Sequence, residues 1–317
     1  MALDKSQFVA LRIRELARNY FKLTAPAAAG FAPTIRPQAG EGLSFTYNFV
    51  SGSGARLVGE PAVLTTESQL LTEANIALGS ETINLDAFDL GVFTVSDSTA
   101  DAFGATVDEG GAANEFVEAL MSRAYANHSL TTRQRAAAEL PQETLPIDSD
   151  YADTLDDVIM AVLLGSGYRP NTIIMGPQTV VALSRQDFVR DFPSVTITST
   201  DKARTGWAGE NDVRSYFAGK HGLNLVVDET SWQPGVGQPG EFVWAEGTAA
   251  LGYVGGGFRQ STLQTLIQRN NELVRIEVRR NSGRQRVGFN VPAEGIWKAH
   301  APNPESGRFL TAVAPSS

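Results

Sequence analysis

Three histidines, His128, His221 and His300, are the imidazoles the sequence offers for acid–base or metal chemistry, and they are scattered along the chain. No HExxH sets two of them on one helix face, so a zinc hydrolase has no local framework here. Histidines spaced this way are expected at the surface. Serine and acidic residues accompany them, but no GxSxG elbow presents a nucleophile. The absence of cysteine excludes thiolate nucleophiles, disulfides and Cys-ligated zinc.

Other short patterns also fall short. Asp148-Ser-Asp-Tyr-Ala-Asp153 begins like a calcium loop, but its sixth position is Asp153 instead of Gly and its twelfth is Ile159 instead of Glu. It reads as a solvated turn that starts a helix. Gly219-Lys220 is followed by His221, where a phosphate-binding loop needs Ser or Thr. Gly52-Ser53-Gly54 and Gly255-Gly256-Gly257 lack the dinucleotide spacing, and Asn127 opens an Asn-X-Ser sequon with no secretory context. The Gly176-Pro177 turn joins an apolar run, 172–175, to a helical pattern, 178–185, and reads as a helix start. No catalytic, cofactor-binding or metal-ligating residue emerges. The expectation is a chain that is not an enzyme and needs no cofactor.

The elements that would carry any function are plainer. Residues 5–20 form a short basic amphipathic pattern, followed by a Pro/Gly-rich extended stretch. Strand composition at 43–50 and 81–95 brackets a polar, Gly-rich segment, which predicts a long hairpin with an irregular tip. Residues 114–140 contain neither Gly nor Pro. Asn114 is placed to cap them, and Phe116, Val117, Leu120, Met121 and Tyr125 recur at helical spacing until Pro141. This is a strut of about 40 Å at ~1.5 Å per residue.

A shorter helix is expected at 154–164, stopped by Gly165, then the strand at 172–175 and its helix. A further helix at 212–218, a buried strand at 223–227, a Pro/Gly loop at 233–240, and strands at 242–244 and 248–254 complete an α/β lobe. Turn signals at Asn270-Asn271 and Asn281-Ser282-Gly283 predict a three-stranded antiparallel meander in the tail.

With 317 residues, 42% hydrophobic and 19% charged, the chain is long enough to bury a large core and is not compositionally disordered. No apolar run reaches bilayer length, and the start carries acids and arginines where a secretory signal is apolar, so the protein is expected to stay where it is made. A net charge of -9 argues against a surface-wide nucleic-acid binder. The charge is segregated: residues 1–40 carry +4, 41–111 carry -10, and the tail segment 258–286 carries +5.

The order of pieces resembles the major capsid protein of tailed bacteriophages, whose fold encapsulin shells and the herpesvirus capsid floor share. GYRPNTIIMGPQTVVAL, FAGKHGLNLVVDE, EFVWAEGTAALGYV and VRIEVRRNSGRQRVGFNVPAEGIWKA look like successive motifs of that family. The resemblance implies an α+β subunit with an N-terminal arm (1–40), an extended β-hairpin loop (41–104), and a peripheral domain (105–150 and 256–317) holding the spine helix 114–140. An α/β axial domain (151–255) completes it.

It further implies a homo-oligomer of hexamers and pentamers, closed into an icosahedral virion capsid around packaged double-stranded DNA without sequence-specific binding. That capsid would be assembled in the host cytoplasm, away from membranes, with portal, scaffolding and decoration proteins as partners. No scaffolding segment precedes the arm, so a separate scaffolding protein or a mature numbering is expected. Some family members join a loop lysine to a neighbour's asparagine; residues 41–100 contain no lysine, so no covalent lock is expected. An acidic subunit suits a wall that must not hold the genome. An encapsulin-like compartment and a soluble α/β enzyme are the rival readings. The acidic loop is expected to dock on the basic tail of a neighbour.

Overall fold

The computed structural model describes residues 26–35, 43–51, 77–96, 112–148, 150–192, 209–232, 239–256, 260–267, 274–276, 279–280 and 288–312. The helix expected at 5–20 and the hairpin tip lie outside the described residues. In chain order the strands and helices are β1 (Thr34–Ile35), β2 (Ser44–Ser51), β3 (Ala77–Asn84), β4 (Asp86–Ser96), α1 (Ala112–Glu139), β5 (Gln142–Thr144), α2 (Tyr151–Ser166) and β6 (Thr172–Met175). They continue with α3 (Pro177–Ser184), α4 (Asp187–Arg190), α5 (Glu210–Tyr216), β7 (Asn224–Val227), β8 (Ser231–Trp232), β9 (Glu241–Phe242) and β10 (Thr248–Gly252). The tail holds β11 (Gln264–Ile267), β12 (Val274–Ile276), β13 (Arg279–Arg280), β14 (Gly288–His300) and β15 (Arg308–Thr311).

A mixed sheet in the order β5-β15-β10-β6-β7 organises the lobe that 151–255 was expected to form. It also recruits Gln142–Thr144 and Arg308–Thr311, from the chain flanking that range. Strand β6, Thr-Ile-Ile-Met, is buried at every residue, as a continuous apolar run in a central strand should be. Its side chains alternate between two cores. Ile173 and Met175 join Leu225, Leu251 and Leu310 under Leu155, Ile159, Leu183, Val213 and Phe217 of the helical layer. Ile174, Ala250 and Phe309 face the opposite core with Ala136 and Leu140 from the end of α1, Trp244, and Ala28 and Phe31. Each fully buried Ile, Leu, Val, Met or Phe among them contributes about 1.5–3 kcal/mol. Residues 26–35, part of the expected arm, are therefore packed into the protein. Ala27–Gly30 form a 3-10 turn and β1 pairs in parallel with β11.

The second sheet is centred on β14. Strand β4 pairs antiparallel along one edge, with a register shift at Ala293/Glu294. The extra residue is Leu90. Gly91 takes φ 122, a conformation that L side chains rarely adopt, and the Asp89 carboxylate accepts its N–H at 2.9 Å. Along the other edge lie β11, β12 and β13 in succession. Here the meander expectation is corrected. Ile267 pairs with Trp297, Val274 with Gly295 and Arg280 with Phe289. Because β11, β12 and β13 are all antiparallel to β14, they run in one direction along it and do not pair with one another as a meander would.

The expected hairpin is present at its base, with β2 and β3 paired from Ser44↔Asn84 to Ser51↔Ala77. The strut is α1, stopped before Pro141. Asn114 lies inside it and is not the cap, because the helix begins at Ala112. Helix α2 overruns Gly165 and ends at Gly167, whose φ of 68 permits the left-handed cap with its N–H on Leu163 O. Helix α5 begins at Glu210, where Asp212 reaches back to the Gly209 N–H at 2.6 Å, and runs into a π turn, Phe217–His221. The strand expected at 242–244 is only Glu241–Phe242; Val243 and Trp244 turn inward and are buried.

Candidate functional site

All three histidines are buried, which corrects the surface expectation. The reason is that His221 and His128 each meet a side-chain partner inside the fold. His221 Nδ1 lies 2.7 Å from Asp156 Oδ1 and its Nε2 3.2 Å from the Tyr216 hydroxyl. Burial lowers its pKa, opposed by the Asp156 hydrogen bond. Burial, with the charges of Asp156 and Asp153 behind it, pushes Tyr216 up to about 12. An acid–histidine–hydroxyl chain of this kind resembles a hydrolytic triad in parts only. In a triad the acid is buried and the hydroxyl meets substrate; here the Asp156 side chain is 43% exposed and Tyr216 is 2% exposed. The chain of bonds ties α2 to the π turn and presents no nucleophile to solvent.

The other candidates also resolve into structure. Asp148 Oδ1 accepts the Asp150 N–H at 3.0 Å and turns the chain into α2. Among the described residues no three His, Asp or Glu side chains form a metal-sized group. The Gly176-Pro177 corner is closed by protein: a Cβ on Gly176 would lie 2.1 Å from the Trp244 carbonyl oxygen. Asn127, of the sequon, sits within α1 and its carbonyl accepts the Thr131 hydroxyl. No helix among the described residues is long and apolar enough to cross a membrane.

What the structure does concentrate is buried polarity along α1. The core stripe Val117, Leu120, Met121, Ala124, His128, Thr132, Ala136 keeps helical spacing but turns polar in the middle. Ser129, beside it, donates from Oγ to Asp228 Oδ2. Asp228 has no exposed surface. It also accepts the Trp244 indole N–H at 3.1 Å and the Thr230 N–H at 3.0 Å, while its own N–H goes to Met175 O. A buried carboxylate with three donors is well satisfied. It joins α1 to the ends of β6 and β7 and to the loop carrying Trp244.

His128 faces the other sheet. Its Nε2 is 2.8 Å from Thr265 Oγ1, and that hydroxyl donates onward to Ala32 O at 3.2 Å. Burial alone pushes the imidazole down to about 4. Nearby, the Trp297 indole donates to Thr131 Oγ1, Arg135 Nε to Ala299 O, and Arg123 Nη1 to Leu90 O at the bulge. Sequence reasoning did not single out Asp228 or Ser129. The available signals were polar residues on the core stripe of a helix and an acid directly after a buried strand.

Two kinds of surface remain open. Met160 and Leu164, one turn apart on α2, are 50% and 77% exposed, and Trp232 on β8 is 37% exposed. A groove of about 500 Å³ runs between α1 and α5, lined by Ser122, Tyr125, Glu210, Arg214 and Glu229, with Ala27 at its edge.

No protein-family model matches the chain, and no curated protein does. Solved structures do. A phage-related protein from Bordetella bronchiseptica superposes with a TM-score of 0.61 at 12% identity, over 94% of this chain and 95% of its own. The capsid of a native GTA particle gives 0.54 at 14% identity, over 92% and 91%. The encapsulin complex of Synechococcus elongatus gives 0.54 at 14%, over 93% and 89%.

Proposed function

We propose, from the premise that this chain has the α+β fold of tailed-phage major capsid proteins and encapsulins, that it is a structural subunit that closes with copies of itself into a shell. The observation that carries the reading is the hairpin. Strands β2 and β3 pair only with each other among the described residues. A two-stranded ribbon is at best marginally stable in water. Its base is held by Ile83 and Leu85 against Leu266 and Ile296, and the rest gains cover from a neighbour. Exposed Met160, Leu164 and Trp232 are further apolar area for such contacts.

We assign residues 1–40 to the arm, 41–104 to the extended loop, 105–150 and 256–317 to the peripheral domain and 151–255 to the axial domain. The shell is assigned as an icosahedral virion capsid built of hexamers and pentamers around double-stranded DNA, assembled in the host cytoplasm with portal and scaffolding proteins. The encapsulin complex matches as well as the GTA capsid does, so a protein-filled compartment is the second reading.

Electron microscopy of the purified protein tests the first claim: closed particles are expected, and a monodisperse monomer at all concentrations overturns it. Nuclease treatment of those particles separates the readings, since protected DNA marks a capsid and protein cargo a compartment. Boiled in detergent, the particles should yield single 33.9 kDa chains. A ladder of linked oligomers would contradict the absence of a loop lysine as the deciding feature.

A further inference from the structure

The groove between α1 and α5 has an open sheet edge along one side. Strand β7 is the last strand of the five-stranded sheet. Asn224 and Asp228 donate their N–H groups toward β6, to Asn171 O and Met175 O at 2.8 and 3.0 Å. With β6 and β7 in register from Thr172↔Asn224 to Met175↔Val227, the residues between turn the other way. Leu225 and Val227 therefore aim their backbone N–H and C=O at the open edge. Arg214, from α5, covers the Leu225 carbonyl. The Val227 side chain belongs to the core under the helical layer, which leaves its main chain to line the groove. Among the described residues no group takes that N–H or C=O.

We propose that residues 20–24 of the same subunit dock in this groove as an added strand on the β7 edge, with the Lys22 ammonium against the Glu229 carboxylate. The chain itself leads there. Ala27 lines the groove, and the 3-10 turn it opens is seated on β7, where a Cβ on Gly30 would lie 3.1 Å from the Val226 side chain. Lys22 stands five positions before Ala27, a reach of up to about 17 Å for extended chain at ~3.3 Å per residue. Tyr20-Phe21-Lys22-Leu23-Thr24 has the aromatic and Thr content that suits a pleated edge. Pro26 has no N–H to give to a ladder and so ends the stretch that can pair.

The charge of the groove fits one added cation. Its lining holds two carboxylates, Glu210 and Glu229, against the Arg214 guanidinium. Arg214 is already spent: Nη2 lies 2.7 Å from Glu210 Oε1, and Nη1 donates to Leu225 O. Glu229 is exposed and makes no ion pair among the described residues. Residues 1–25 carry five Lys/Arg and two Asp/Glu, so this end of the chain brings the sign that the groove lacks. Main-chain bonds to Val227 would hold the strand, as in other additions to a sheet edge. The Lys22–Glu229 pair, open to solvent, would set register more than strength.

Docking in this groove decides how much of the N-terminal end can act elsewhere. With residues 20–24 on their own subunit, only residues 1–19 are left upstream to reach a neighbour, and they start from the gap between α1 and α5. The contact is intramolecular, so dilution does not undo it. It holds in a single subunit whether or not subunits close into a shell.

A chain without cysteine makes the placement readable by disulfide trapping. In the full-length protein carrying Glu229→Cys, a second cysteine is placed in turn at Phe21, Lys22 and Leu23, and dilute subunits are oxidised. The Lys22→Cys pair should close within one chain at several times the yield of the other two, whose side chains alternate away from Glu229. Hydrogen–deuterium exchange gives a second readout: deleting residues 1–24 should speed exchange of the Val227 amide about tenfold or more while residues 172–175 keep their protection. Four results each overturn the proposal: no disulfide within a chain in any pair, equal yields at the three positions, disulfides that join separate chains, or unchanged Val227 exchange after the deletion. If the shortened chain fails to fold, charge reversal takes its place. Glu229→Lys should then speed Val227 exchange and the further change Lys22→Glu restore it, and no difference between the two variants overturns the proposal. Electron microscopy of the same proteins reads particle closure separately, so a failure of the docking is not a failure of the shell.

Discussion

Ser129 and His128 are consecutive in sequence, yet they serve different sides of α1, and the two sides are finished differently. Toward the five-stranded sheet, Ser129 meets a carboxylate that collects three donors, set between two apolar cores. Toward the tail strands, His128 meets a hydroxyl already committed elsewhere, and its second nitrogen meets nothing. Satisfied and unsatisfied polar groups thus stand at adjacent positions. The Asp228 side is a fully bonded mount. The His128 side holds an imidazole that burial keeps neutral.

The strongest way to break the comparison is to damage the mount. Trp244 is fully buried between the Asp228 carboxylate and Phe309, with ring centroids 6.4 Å apart for the latter pair. Trp244→Ala should cost about 3–5 kcal/mol from the cavity, and it also strips a donor from Asp228. Urea unfolding of the unassembled subunit measures it. A loss below about 1 kcal/mol would mean that the Asp228 side is not the firmer of the two.

Next in size is the helix itself. Ala124 is buried in the run of α1 that leads to both joints. Ala124→Pro removes a backbone hydrogen bond and clashes with the preceding turn, at about 3 kcal/mol or more. Soluble protein that fails to close into particles is the expected phenotype. Normal particle yield would show that α1 is dispensable as a strut.

Acid should then act on the His128 side. A histidine held at about 4 in the fold and near 6.5 in the unfolded chain removes about 3 kcal/mol of stability as pH falls through that window. In stability measured against pH, His128→Gln should flatten this slope, whereas Ser129→Ala should lower stability by about 1–2 kcal/mol already at pH 7.

The same asymmetry explains what could be read from the sequence. The elements of the five-stranded sheet were legible because their signals are local: Thr172 and three apolar residues before Gly-Pro make β6 and start α3, and Pro141 ends α1. The tail was misread because Asn270-Asn271 looks like a turn. That β11 and β12 both pair with β14, and not with each other, is decided by a partner whose pairing residues begin more than twenty positions later. The end of α2 slipped by two residues because the true cap, Gly167, lay two residues beyond the first glycine. The histidines were misplaced for a related reason. Burial of a polar side chain depends on what arrives opposite it, and Thr265 and Asp156 are distant in sequence from His128 and His221. Asp228 carried no motif at all.

The smallest effect concerns charge. The sequence sets an acidic stretch against a basic tail and suggests docking between neighbours, but the described acids are spent partly within the chain. Asp86 lies 3.4 Å from Lys298 across β4 and β14, with side chains 52% and 27% exposed. Such a pair contributes only about 0.2–1 kcal/mol, and salt screens it. Lys298→Ala should therefore lower subunit stability by less than about 1 kcal/mol, with the difference vanishing at high salt. Arg279 and Arg280 pair as β13 with Asn290 and Phe289 at the far end of β14, away from that pair. If neighbours dock through charge, reversing both arginines to Glu should impair particle assembly while leaving subunit unfolding within about 0.5 kcal/mol of wild type. Equal assembly across a wide salt range in that double variant would confine the charge segregation to the subunit and leave apolar burial as the sole closing force.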